Sequence, residues 1–138
     1  MSEFYKDQRL THLNKYEVYI WKKFLDKYKD DYFNYIYDVH LPVTIIPPED
    51  LPEEYKKLAT DLSAKRIDVT MQEKGITWIV EIRPNAKQGA VGQLILYRYL
   101  YILQFNPTNK IRLMLVTDYN NIELKMVCDT IGIIYKVL

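Results

Sequence analysis

The stretch KRIDVTMQEKGITWIVEIR, residues 65–83, constrains the fold of this chain more than any other. It holds two alternating segments separated by Lys74-Gly75, a pair suited to a two-residue hairpin loop. With Glu73 facing Ile76, the register pairs Met71 with Trp78, Val69 with Val80 and Ile67 with Ile82 on one face, every member apolar. The other face carries Gln72 with Thr77, Thr70 with Ile79, Asp68 with Glu81 and Arg66 with Arg83, and is almost wholly polar. A one-residue slip would scramble this sorting, so the pattern itself supports the register.

That register has a chemical consequence. Asp68 lies opposite Glu81 with side-chain bases roughly 5 Å apart, and like charges so placed repel unless something positive sits between them. A divalent cation answers this, because two carboxylates and some waters are a typical ligand set for Mg²⁺ or Mn²⁺. Arg83, two residues after Glu81, projects on the same side of the strand. The alternative is a solvated face on which Asp68 and Glu81 pair with Arg66 and Arg83 across the hairpin.

Around the hairpin, apolar residues Leu13, Tyr16, Ile20, Phe24 and Tyr28 recur at helical spacing and predict an amphipathic helix from Leu13 to Tyr28. Glu17 falls on or beside its buried stripe and needs a partner or water. Residues 33–41 alternate as a strand, with Phe33, Tyr35, Tyr37, Val39 and Leu41 on one side and Asn34, Asp38 and His40 on the other. Pro42, Pro47, Pro48 and Pro52 make the next segment a loop, in which PEEYKKLATDL forms at most a short helix. After the hairpin come a helix from about Gln88 to Phe105 and a strand from Lys110 to Thr117. A last helix capped by Asp118 runs through about Cys128 and ends at Gly132, and IIYKVL makes a closing strand. Gln93 and Tyr97, spaced i,i+4, share one face of the long helix.

The chain has 138 residues, 49% hydrophobic and 27% charged, which fits a single domain over 1–138 with a real core. No apolar run reaches the roughly 20 residues of a membrane span, and MSEFYKDQR has no apolar signal core, so a cytoplasmic protein without membrane contact is expected. The single cysteine, Cys128, reads as a small buried hydrophobe, and with two histidines, His12 and His40, no zinc or iron–sulfur ligand cluster can be assembled. A net charge of +1 gives no global basic field, so any nucleic-acid contact must be local. Lys65, Arg66, Arg83, Lys87 and Arg98 form the candidate basic rim. Thirteen tyrosines spread along the chain read as amphipathic core-and-rim residues.

RIDVT, WIVEIRPNA and GQLILYRYLY, in that order and preceded by a helix carrying Glu17, resemble the PD-(D/E)XK nuclease superfamily. Within it, they resemble the branch with a Gln-x-x-x-Tyr helix motif, which includes RecB-type nuclease domains and many small phage and archaeal proteins. The resemblance covers about three quarters of the chain. It implies a three-layer α-β-α, restriction-endonuclease-like core with a mixed central sheet and a site at one end of the hairpin. It further implies Mg²⁺- or Mn²⁺-dependent hydrolysis of DNA phosphodiesters. Asp68 then looks like the metal-binding aspartate, Glu81 like the first acidic residue of the Glu-x-Lys signature, and Glu17 like the helix-borne carboxylate that completes the metal shell. The main-chain carbonyl of Ile82 would be a further ligand, while Gln93 and Tyr97 match the motif that orients the site and contacts the nucleic-acid backbone.

The chain departs from the family at Arg83, where lysine is usual. Arginine stays protonated and cannot act as a base, but it can stabilise charge on phosphate, with general-base help from metal-bound water. Lys87 is a candidate displaced lysine. Two other readings keep the fold without the chemistry: a decayed nuclease serving as a nucleic-acid- or protein-binding module, and a structural subunit of an assembly, homo-oligomeric or otherwise, whose tyrosines line an interface.

Overall fold

In a computed structural model, residues 10–41, 49–56 and 65–138 are described. Among the described residues, the long helices α1 (Lys15–Tyr28), α2 (Gln88–Phe105) and α3 (Ile122–Ile131) accompany five strands. The strands are β1 (Phe33–Leu41), β2 (Lys65–Glu73), β3 (Ile76–Ile82), β4 (Lys110–Thr117) and β5 (Ile134–Val137). They form one sheet in chain order, antiparallel from β1 to β3 and parallel from β3 to β5. The parallel pairs follow from their connections: α2 carries the chain from β3 to β4 and α3 from β4 to β5, as a parallel crossover requires. The result is the expected three-layer α/β core. One layer packs Val18, Ile20, Trp21 and Phe24 of α1 on Val69, Met71, Trp78, Val80 and Ile82. The other packs Leu94, Tyr97 and Leu100 of α2, with Leu124 and Cys128 of α3, on Ile67, Ile79, Leu113 and Leu115.

The hairpin register holds from Glu73↔Ile76 to Val69↔Val80, with Gly75 at φ +76° supplying the turn conformation that side chains disfavour. Its polar face is not solvated, because α2 covers it: Thr70, Thr77 and Glu81 are buried beside Ile79. The ladder stops before Asp68, and the faces change there. Ile67, expected beside Ile82, lies in the α2 layer while Ile82 lies in the α1 layer. A matching kink occurs in β1, where Asp38 has φ +57°. Tyr35 and Tyr37 accordingly pack toward α1 while Val39 and Leu41 turn toward α2, so the single-sided alternation expected for 33–41 is corrected to a strand that switches faces. Phe33 is exposed.

Helix α1 begins two residues later than its periodicity suggests, because Asn14 and Glu17 form a capping box. Its buried stripe runs through Val18 and Trp21, leaving Tyr16 64% exposed. The Trp21 Nε1–H donates to Tyr37 Oη at 3.1 Å, and the indole stacks on Phe24 with ring centroids 4.7 Å apart. This aromatic layer absorbs several tyrosines as core-and-rim groups. The cap of α3 is Asn121, whose Oδ1 accepts from Leu124, whereas Asp118 accepts the Asn85 main-chain N–H at 2.8 Å. Gly132 ends α3 at φ +83°. Pro42, Pro47, Pro48 and the part of the short helix beyond residues 53–56 fall outside the described residues. No helix among the described residues is long and apolar enough to cross a membrane.

Candidate functional site

The site lies where β2 and β3 part. Beyond Val80, the main-chain N–H of Ile82 is taken by the Asp68 carboxylate, with Oδ2 accepting at 2.9 Å. A side chain thus replaces a ladder carbonyl and holds the Asp68 carboxyl between the strands, satisfying an amide that burial would otherwise leave costly. Glu81, 3% exposed, stands within hydrogen-bonding reach of Asp68. Burial first, and the Glu81 charge second, push the Asp68 pKa well above the usual carboxylate range. Burial also raises the Glu81 pKa, opposed by hydrogen bonds from Asp68 and Arg83. Burial and mutual crowding thus work against ionising both carboxyls at once.

Arg83 Nη2 donates both to Glu81 Oε2 and to Gln93 Oε1. The sequence-expected Gln93 therefore orients Arg83, and through it Glu81. Its position is set by the following loop, which is pinned to β4: Arg83 N–H donates to Val116 O at 2.9 Å and Ala86 N–H to the buried Thr117 Oγ1 at 3.2 Å. Tyr97, one turn along α2 from Gln93, is 5% exposed. Burial, with the Glu81 and Asp68 charges behind it, holds its phenol protonated far above the ordinary range.

Glu17 comes within electrostatic reach of Asp68 and Arg83, and burial raises its pKa. One of its oxygens is committed locally, Oε1 accepting the Asn14 N–H at 2.9 Å. As a metal ligand it would bring its other oxygen. Arg66 is committed as well: its Nε and Nη2 grip Asp38 at 2.7 Å each, and this pairing holds Asp38 below the usual carboxylate range. Lys87 is exposed at the N-cap of α2. Arg98 opens onto a different surface, a groove with Lys110 and Arg112 whose lining contains no carboxylate, so the basic rim expected around the acidic pair does not include it. His40 is exposed against Asp38 at 3.3 Å.

The histidine that matters is the other one. His12, with a side chain 7% exposed, places Nε2 3.1 Å from the Asp68 main-chain oxygen and 3.9 Å from Asp68 Oδ1. Its Nδ1 is buried without a hydrogen-bond partner among the described residues. Helical spacing gives no hint of it; the available signal is a polar residue between the buried Leu10 and Leu13, just ahead of a capping asparagine.

The Asp68 and Glu81 carboxyls could hold a hard divalent cation, with the Ile82 carbonyl and waters as the further oxygen donors such an ion would need. Two carboxyls pressed together, with both pKa values raised by burial, fit that assignment. Among the described residues no three His, Cys, Asp or Glu side chains form a ready-made ligand cluster, so the protein would supply two carboxylates rather than a full cage. Comparison of the chain with protein families, curated proteins and solved structures found no match.

Proposed function

We propose that this chain is a divalent-metal-dependent nuclease that hydrolyses DNA phosphodiesters, with Mg²⁺ or Mn²⁺ held by Asp68, Glu81 and the Ile82 carbonyl. The observation that carries this reading is the coupled Asp68–Glu81 pair, buried at the parting of two strands beside an arginine. The cation, when bound, would polarise the phosphate and make water a better nucleophile at neutral pH. Arg83 stabilises charge developing on the phosphate, Gln93 holds Arg83 in place, and His12 fixes the Asp68 main chain. Tyr97 remains a neutral hydrogen-bonding group at the site wall. Glu17 adds a third carboxylate around one guanidinium, which favours a bound cation electrostatically.

The test is digestion of single- and double-stranded DNA by purified protein in EDTA, magnesium or manganese. Cleavage that requires metal and is lost in Asp68→Asn is expected; inert protein under all conditions contradicts catalysis.

A second reading rests on Arg83. Its guanidinium is engaged by both Glu81 and Gln93, which suits a site that no longer turns over and a domain that only binds nucleic acid. DNA binding without cleavage would select it.

A further inference from the structure

Strand β5 is half the length of β4, pairing only with Met114 to Thr117. The first half of β4, Lys110 to Leu113, is bonded to β3 on one side and, among the described residues, has no strand on the other. Main-chain direction there can be read from its neighbours. Val116 O receives Arg83 on the β3 side, and Thr117 O receives Leu138 on the outer side, at 2.8 Å. Alternation along the strand therefore turns the Ile111 N–H and C=O outward, to the uncovered edge.

That edge opens into a groove of about 540 Å³ bounded by α2 and the end of α3. Its floor and walls are aliphatic, with Ile95, Ile111, Leu113, Ile131 and Ile133 and no aromatic ring on which a base could stack. Its charges are all cationic: Arg98, Lys110 and Arg112, none in an ion pair among the described residues. The two characters alternate along β4, Ile111 and Leu113 facing the α2 layer and Lys110 and Arg112 the opposite face. A strand laid beside this one would share its alternation, so its residues beside Ile111 and Leu113 would be buried and those beside Lys110 and Arg112 would meet positive charge.

From this we infer that the groove docks an extended segment of a partner protein in which aliphatic and acidic residues alternate, added to the sheet as a strand beside residues 110–113. The main chain supplies affinity, and the alternation supplies specificity. A nucleic acid suits the cations but not the aliphatic floor. The inference is independent of the nuclease reading and stands on a separate surface.

The experiment is fluorescence anisotropy with the labelled peptide Glu-Val-Glu-Ile-Glu-Val, its scramble Glu-Glu-Glu-Val-Ile-Val, and the analogue Lys-Val-Lys-Ile-Lys-Val. The alternating acidic peptide should bind at least 10-fold more tightly than the scramble, and Lys110→Glu should shift the preference toward the lysine peptide. The Lys110 side chain is exposed, while Arg112, stacked on Trp78 at 4.8 Å, is left in place to protect the fold. A second measurement needs no variant: N-methylation of alternate peptide amides should abolish binding in one phase and spare it in the other. Equal binding of alternating and scrambled peptides, or indifference to both charge reversal and N-methylation, overturns the proposal. So does a 20-nucleotide single strand, or a dimer of this chain, that occupies the surface instead and is lost on charge reversal.

Discussion

Asp68 Oδ2 accepts the Ile82 main-chain N–H at 2.9 Å, and the residue before Ile82 in sequence, Glu81, is the group that crowds the same carboxyl. One side chain thus joins the strands and carries the charge that would drive them apart. Stability and chemistry are coupled at this point.

The coupling predicts the behaviour of Asp68→Asn. The amide keeps an acceptor for Ile82 and offers a donor to Glu81, while removing one of two crowded charges. In EDTA at neutral pH the variant should melt above the wild type, and manganese should raise the melting temperature of the wild type alone. Differential scanning fluorimetry in EDTA and in millimolar manganese checks both.

The pH dependence follows with a definite sign. A carboxyl whose pKa is raised on folding contributes stability that is fully present below its unfolded value of about 4 and is lost as pH rises through the folded value. Asp68 and Glu81 are both raised. Metal-free wild type should therefore lose stability from about pH 4 upward through the range in which the pair ionises, and Asp68→Asn should flatten this slope. Urea unfolding across pH 4–8 measures it; parallel curves for the two proteins would contradict the raised pKa of the pair.

His12 supports Asp68 from the side that periodicity does not reveal. His12→Ala leaves the Asp68 carbonyl without its 3.1 Å contact and should cost about 1–3 kcal/mol, the scale of an unsatisfied buried polar group. It should also weaken the manganese-induced rise in melting temperature. Chemical denaturation with and without manganese separates the two effects.

Much of this arrangement is legible in the chain, and the exceptions have physical causes. Alternation located the hairpin and its register from Glu73 to Val69, because both faces of those strands are buried and sort their side chains strictly. It failed at Ile67, since a period-two pattern assumes an unbroken ladder and the Asp68 carboxylate breaks it. Strand β1 switches faces at the positive φ of Asp38, a conformation that composition does not announce. Gln93 was found by spacing, but its contact is with Arg83, a pairing across two elements that only the fold reveals. Tyr16 fitted the helical stripe as well as Trp21 does, and the choice between them was made by the aromatic packing with Tyr37 and Phe24.

Arg83 separates the active reading from the inert one. Arg83→Lys should keep or increase cleavage, because a lysine supplies the charge and is the group usual in the nuclease superfamily that the motifs resemble. Arg83→Ala should lose about 10²–10³-fold, the scale of one transition-state donor. Gln93→Ala, which frees the guanidinium from its second partner, should lower activity less than Arg83→Ala does. If wild type is inert while Arg83→Lys cleaves DNA, the protein is a decayed nuclease, and single-turnover cleavage assays on the four proteins decide this.

The proposed chemistry depends on Asp68 and Glu81 together holding a divalent cation. Calorimetric titration of Mn²⁺ into the metal-free protein tests it most directly. One site per chain is expected, competed by Mg²⁺ and abolished by Asp68→Asn. Absence of binding at millimolar manganese, or binding that survives Asp68→Asn unchanged, would contradict it.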